Sequence, residues 1–158
     1  MIRGVVPWKL SIGARTWTAP MHEIFEHTAD LGLRLTSPTL EGLMAEAARG
    51  LFEIIAGDLS QIRIQPDSDE QFRVSGTDPT WLLLDWISEL HAAFELRRML
   101  FRSFDVTIDA TGLQATARGE RYDPARHTLA HEIKAITQHE LSVVETATGW
   151  NATLIVDI

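Results

Sequence analysis

The chain contains no cysteine. Disulfides, thiolate nucleophiles, cysteine-ligated zinc and iron–sulfur clusters are therefore excluded. It is also poor in basic residues: 14 Lys and Arg stand against 22 Asp and Glu, a formal net charge of −8. A surface of that sign is repelled by phosphate backbones, so strong direct binding to nucleic acid is not expected. No run of 18 apolar residues occurs, and no membrane-spanning helix is expected. Neither a P-loop nor a G-x-G-x-x-G loop is present, which leaves nucleotide hydrolysis without a visible cradle. H-E-x-x-H is missing, and His131-Glu132 has no second His at the needed step. There is no G-x-S-x-G turn for a serine nucleophile.

What is present suits one globular unit. The length is 158 residues, with 45% apolar and 23% charged residues, ordinary values for a globular domain. A chain of this size buries roughly 68–70% of its unfolded surface, enough for one core without staples. Residues 1–20 stand apart. They hold Arg3, Lys9 and Arg15 and no acid, and Gly4, Pro7, Gly13 and Pro20 interrupt any helix. The stretch reads as a leader or disordered extension, from an upstream start codon or a poorly ordered tail, and it lacks the apolar core of a secretory signal. Without it, 11 basic residues face all 22 acids, a balance of −11 for the single domain expected over 21–158.

From Met21 onward the periodicities alternate between strand and helix. Leu31, Leu33 and Leu35 share one face with Arg34 on the other, a half-buried strand over 31–36. Ser37-Pro38 is expected to start a helix as N-cap and first position. Its apolar residues run from Leu40 to Ile55 at helical spacing, and Gly57 closes it. Segments 61–65 and 71–75 alternate like strands around a turn at 66–69. A second helix is expected from Pro79 to about Arg98, capped by Asp78, with Trp81, Trp86, Phe94 and Phe101 read as core. Strands follow at 104–109 and 113–118 around a turn at 110–112, then a loop over 120–131, then strands over about 133–146 and 150–157. Two helices among six or more strands, with no repeating strand–helix–strand unit, predict an α+β fold. It should have mostly antiparallel sheets and two main helices packed on one face.

Three clusters could carry chemistry. Glu26-His27-Thr28-Ala29-Asp30 lies just before a strand. It reads either as a turn in which Thr28 and Asp30 bond local backbone, or as an Asp held at a rigid strand edge to ligate a hard cation. Segment 126–139 holds Arg126, His127, His131, Glu132, Lys134 and His139. Lys134 is either a solvated surface lysine or a positioned cation facing a carboxylate or phosphate. The apolar strand 154–158 ends in Asp157 and Ile158. Two adjacent carboxylates repel unless a cation or donor lies between them. Set beside Asp30, they would form an all-oxygen site suited to Ca²⁺, Mg²⁺ or Mn²⁺; otherwise they are a frayed end.

Taken together, the chain resembles the archease family. The matching pieces are F-E-H-T-A-D at 25–30, G-L-F-E-I-I-A-G at 50–57, R-H at 126–127, E-I-K-A-I-T-Q-H at 132–139, and G-W-N-A-T-L-I-V-D-I at 149–158. Their order and spacing cover about 22–158. Gln138 departs from the family, which often has an aromatic residue before the His. The resemblance implies a non-enzymatic partner of an RtcB-type RNA ligase in tRNA splicing or RNA repair. That ligase joins 2′,3′-cyclic-phosphate or 3′-phosphate ends to 5′-hydroxyl ends with GTP and Mn²⁺, and archeases promote its guanylylation and turnover. It further implies a divalent cation, Ca²⁺ foremost in a crystal with Mg²⁺ or Mn²⁺ for function, held by Asp30, Asp157 and Ile158. Lys134, His27 and His139 are the expected contacts with the ligase or its nucleotide. A cytoplasmic location is expected. Two other classes stand beside this reading: a chaperone-like protein-binding module with no metal-dependent role, and a stand-alone metal hydrolase, which needs an open coordination position.

Overall fold

The structure, a computed structural model, describes residues 19–158. Most of the proposed leader lies outside the described residues. Among the described residues, eight strands and two helices form two antiparallel sheets with the helices between them. They are β1 (Met21–His27), β2 (Asp30–Ser37), α1 (Leu40–Ala56), β3 (Glu70–Ser75), α2 (Pro79–Arg97), β4 (Met99–Asp109), β5 (Gly112–Arg121), β6 (Ala135–Ile136), β7 (Ser142–Thr146) and β8 (Gly149–Asp157). The larger sheet runs β1-β2-β8-β6, with β7 also pairing along β8; the smaller runs β3-β5-β4. All ladders are antiparallel. The expected α+β class with mostly antiparallel sheets forms, and the two helices, expected on one face, pack against strands of both sheets.

Local chemistry explains the helices. Asp78 accepts from the Thr80 and Trp81 N–H groups, and Pro79 fits the first turn, where its missing N–H costs nothing. Helix α1 begins later than expected. Ser37 stays extended because it ends the β2–β8 ladder opposite Trp150, and Pro38 lies outside the helix. The cap is Thr39, whose hydroxyl accepts from the Gly42 N–H at 3.0 Å. Gly57 closes α1 at φ 78, donating to the Glu53 carbonyl, as its position predicts. Helix α2 stops at Arg97, and Arg98 caps it in a left-handed conformation.

Three strand assignments change. Segment 61–65 is no strand: a 3₁₀ turn at Leu59–Gln61 leads into backbone that bonds the Glu120 carboxylate and the Gly119 carbonyl instead of a ladder. Strand β4 starts at Met99, five residues early, and accommodates an irregularity between Phe101 and Ser103. The expected strand over 133–146 divides into β6 and β7, two short pieces on the same edge of β8. Residues 21–27, to which no element was assigned from the sequence, form β1 and pair with β2 along their full length.

The core lies between the sheets. Leu31, Leu33 and Leu35 of β2 and Ala152, Leu154 and Val156 of β8 face α1, which is buried over most of its circumference. From the smaller sheet come Phe72, Leu113, Phe101 and Phe104. Trp86 is fully buried, sits edge-on to Phe72 and donates its indole N–H to the Met44 carbonyl at 2.9 Å. Trp81 departs from the core reading: it is half exposed at the start of α2. No helix among the described residues is long and apolar enough to cross a membrane.

Candidate functional site

The site is a row of residues across four strands at one end of the larger sheet. The turn at Thr28-Ala29, with Thr28 at φ 55, reverses the chain so that His27 opposes Asp30. The β2–β8 ladder then sets Asp30 directly opposite Asp157, and the β6–β8 ladder sets Asp157 opposite Ala135. Directly opposed residues in antiparallel strands point to the same face. The next pair inward, Leu31 with Val156, is buried against the helices, so His27, Asp30 and Asp157 face outward. Thr28 makes the turn and Asp30 opens the strand, and among the described residues neither side chain makes the local backbone bond that the turn reading expected.

The two carboxylates stand as cross-strand neighbours, both half-buried. Like charges directly opposed destabilise a sheet. Among the described residues, neither Asp30 nor Asp157 makes an ion pair. Ile158 follows Asp157 at once, and the Lys134 N–H donates to the Asp157 carbonyl at 2.8 Å. Repelling oxygens with no counter-charge fit a hard divalent cation, which takes oxygen ligands. Asp30, Asp157 and Ile158 would hold it. Lys134 is exposed beside them, and its side chain makes no ion pair among the described residues.

The segment between β6 and β7 closes over this face. Thr137 bonds the Ile155 carbonyl through both its N–H and its hydroxyl, at 3.3 and 2.8 Å. Ile155 pairs with Gly32 and so faces away from the helices, yet it is 0% exposed. His139 reaches His27, ring centroids 5.3 Å apart, and the Glu140 carboxylate lies 3.5 Å from His27 Nε2. Because β1 and β6 flank β2 and β8, that contact crosses the acid pair's side of the sheet. Glu140 sits at φ 53, a left-handed conformation uncommon for a non-glycine residue.

The second sequence cluster disperses. Lys134 and His139 join the site, whereas His131 and Glu132 are exposed. Arg126 and His127 turn inward to Glu120, with His127 Nε2 2.6 Å from its carboxylate. Glu120 also accepts from the Arg63 N–H and the Gln65 amide. Burial pushes the Glu120 carboxyl up, but these donors outweigh it and hold the pKa at about 2. Sequence reasoning missed Glu120, Glu140 and the His22–Glu46–Glu53 cluster beneath β1. His22 Nδ1 is 2.5 Å from Glu46, and Nε2 pairs with Glu53. Burial opposes the His22 charge, yet the two carboxylates raise its pKa. The available signal for Glu140 was its place directly after His139; His22 and Glu120 carried none that periodicity reads.

Comparison with known proteins decides the relationship. The model of the "Archease protein family (MTH1598/TM1083)" matches residues 22–158. The chain belongs to the archease family. Protein archease of Methanopyrus kandleri is 38% identical over 143 residues, covering 88% of this chain and 99% of that protein. Protein archease of Saccharolobus solfataricus is 38% identical over 138 residues, covering 86% and 97%. The solution structure of Methanobacterium thermoautotrophicum protein 1598 superposes with a TM-score of 0.74 at 29% identity, covering 87% of this chain and 98% of that one. Every residue of the outward-facing row lies inside the stretch that the archease family model matches.

Proposed function

We propose that this archease-family protein is a non-enzymatic activator of an RtcB-type RNA ligase, promoting its guanylylation by GTP and its repeated turnover. The observation that carries the reading is the opposed, uncompensated pair of Asp30 and Asp157. A bound divalent cation, Ca²⁺, Mg²⁺ or Mn²⁺, supplies positive charge there and relieves the repulsion. Asp30, Asp157 and the carboxylate of Ile158 hold it. Lys134 offers a solvent-facing ammonium at the rim, suited to a phosphate or carboxylate of the ligase complex. His27 and His139 line the same rim and offer ring nitrogens to a partner. The acidic body, −11 over residues 21–158, matches a partner built to bind nucleic acid.

The test is ligase guanylylation at limiting GTP with Asp30→Asn and Asp157→Asn. Both substitutions keep side-chain volume and lie on an outward face, so the fold persists, checked by circular dichroism. Each should weaken divalent-cation binding by about tenfold or more, a loss that even neighbours of metal ligands produce, and stimulation should fall with it. Undiminished stimulation by Asp30→Asn would remove the acid pair from the mechanism and favour a metal-independent protein-binding module. Adding residues after Ile158 displaces the terminal carboxylate, and unchanged cation affinity would exclude it as a ligand.

A further inference from the structure

Of the described residues, three side chains outside the acid pair bring metal-binding donor atoms together. One nitrogen each of His27 and His139 and one carboxylate oxygen of Glu140 lie within 4.8 Å of one another. Asp30 and Asp157 do not join that group. Most other imidazoles of the fold are engaged: His22 by Glu46 and Glu53, His127 by Glu120, His91 by the Ile133 carbonyl at 3.0 Å. His27 is different. Its Nδ1 is buried without any partner, and a buried polar atom left unpaired is costly. Its ring is held on the ladder of β1, while His139 and Glu140 are exposed and free to adjust. Donors around a tetrahedral ion at the Zn–N distance are about 3.3 Å apart, so the three donors, now within 4.8 Å of one another, need only a small closing shift.

We propose that His27, His139 and Glu140 form a second cation site, beside the acid pair and separate from it, for a borderline first-row dication of the Zn²⁺ class. Two imidazoles and one carboxylate suit such ions and discriminate against Ca²⁺ and Mg²⁺, which prefer all-oxygen sites. Three protein donors leave a fourth position open to solvent or to a ligand from a partner. The two sites adjoin because His27 and Asp30 are cross-strand neighbours. This inference does not depend on the activator role.

The experiment titrates Co²⁺ into the tag-free full-length chain and follows the visible absorption of low-coordinate, nitrogen-ligated Co²⁺. The wild type should develop the band, and Zn²⁺ but not Ca²⁺ should remove it. His139→Ala and Glu140→Gln, both at exposed positions, should weaken Co²⁺ binding at least tenfold, while His131→Ala and Asp30→Asn should retain it. A parallel Ca²⁺ titration by calorimetry reads the acid pair, which Asp30→Asn should impair and His139→Ala should spare. An unchanged band in His139→Ala, displacement by Ca²⁺, or loss of the band in Asp30→Asn would overturn the proposal; the last would mean one shared centre.

Discussion

Glu120 shows how much a single buried charge can carry. It has no counterpart in the apolar pattern around it, yet it gathers Arg126, His127, Gln65 and the Arg63 N–H onto one carboxylate. It thereby ties the irregular 62–65 segment and the loop after β5 to the smaller sheet. Its pKa is depressed from the ordinary 4.5 to about 2. A group with a depressed native pKa contributes stability that is complete above its unfolded value and is lost as pH falls. The shift corresponds to about 3 kcal/mol, present in full above about pH 5 and gone near pH 2. Acid unfolding should therefore steepen across that window in the wild type. Glu120→Gln should be less stable at neutral pH, with a flatter profile between pH 5 and 2, read by thermal melts at each pH. An equally steep profile in the variant would assign the acid sensitivity to other carboxylates.

Strand register turns separate residues into a site, and Gly149 holds that register. It begins β8 at φ 148, where any Cβ would fall under 3.0 Å from the Ser37 backbone. Only glycine lets β8 start this close to the end of β2. From that anchor the ladder counts without a break from Ser37 opposite Trp150 to Asp30 opposite Asp157. Gly149→Ala should cost about 2 kcal/mol or more through strain and displacement and should also weaken cation binding at the far end of the ladder, measured by melting and calorimetry. Full affinity in the variant would show that the register is set elsewhere. Both helices were legible because their spacing is local, and the cap of α2 was too, whereas the cap of α1 moved from Ser37 to Thr39 because the β2–β8 ladder holds Ser37. Strand β1 was not: its helix-facing residues include His22 and Glu26, so the apolar alternation that marks β2 is broken there. Segment 61–65 misled in the opposite way. Ile62 and Ile64 alternate as in a strand, but only Ile62 is buried, and the backbone finds its partners in Glu120 and Gly119.

The charge of the whole chain bears on what it approaches. With 22 acidic residues against 14 basic ones, long-range attraction favours a positively charged partner and speeds encounter with it. Ions screen such attraction over roughly 10 Å at 0.1 M salt and roughly 3 Å at 1 M. The concentration of this protein giving half-maximal ligase stimulation should therefore rise as salt is raised through that range. No change would mean that contact chemistry at the rim, not the overall field, governs association.

The amino-acid sequence alone determined the α+β class, the two helices and the half-buried β2, and it singled out Asp30, Asp157 and Ile158 as candidate oxygen donors. These follow from local periodicity, capping chemistry and short motifs, which depend on neighbours along the chain. Tertiary structure alone decided that Asp30 faces Asp157, that Arg126 and His127 leave the cluster for Glu120, and that Glu140 joins His27 and His139. Those outcomes depend on which strand pairs with which and in what register, and that choice is made by burial of the shared core among segments far apart in the chain.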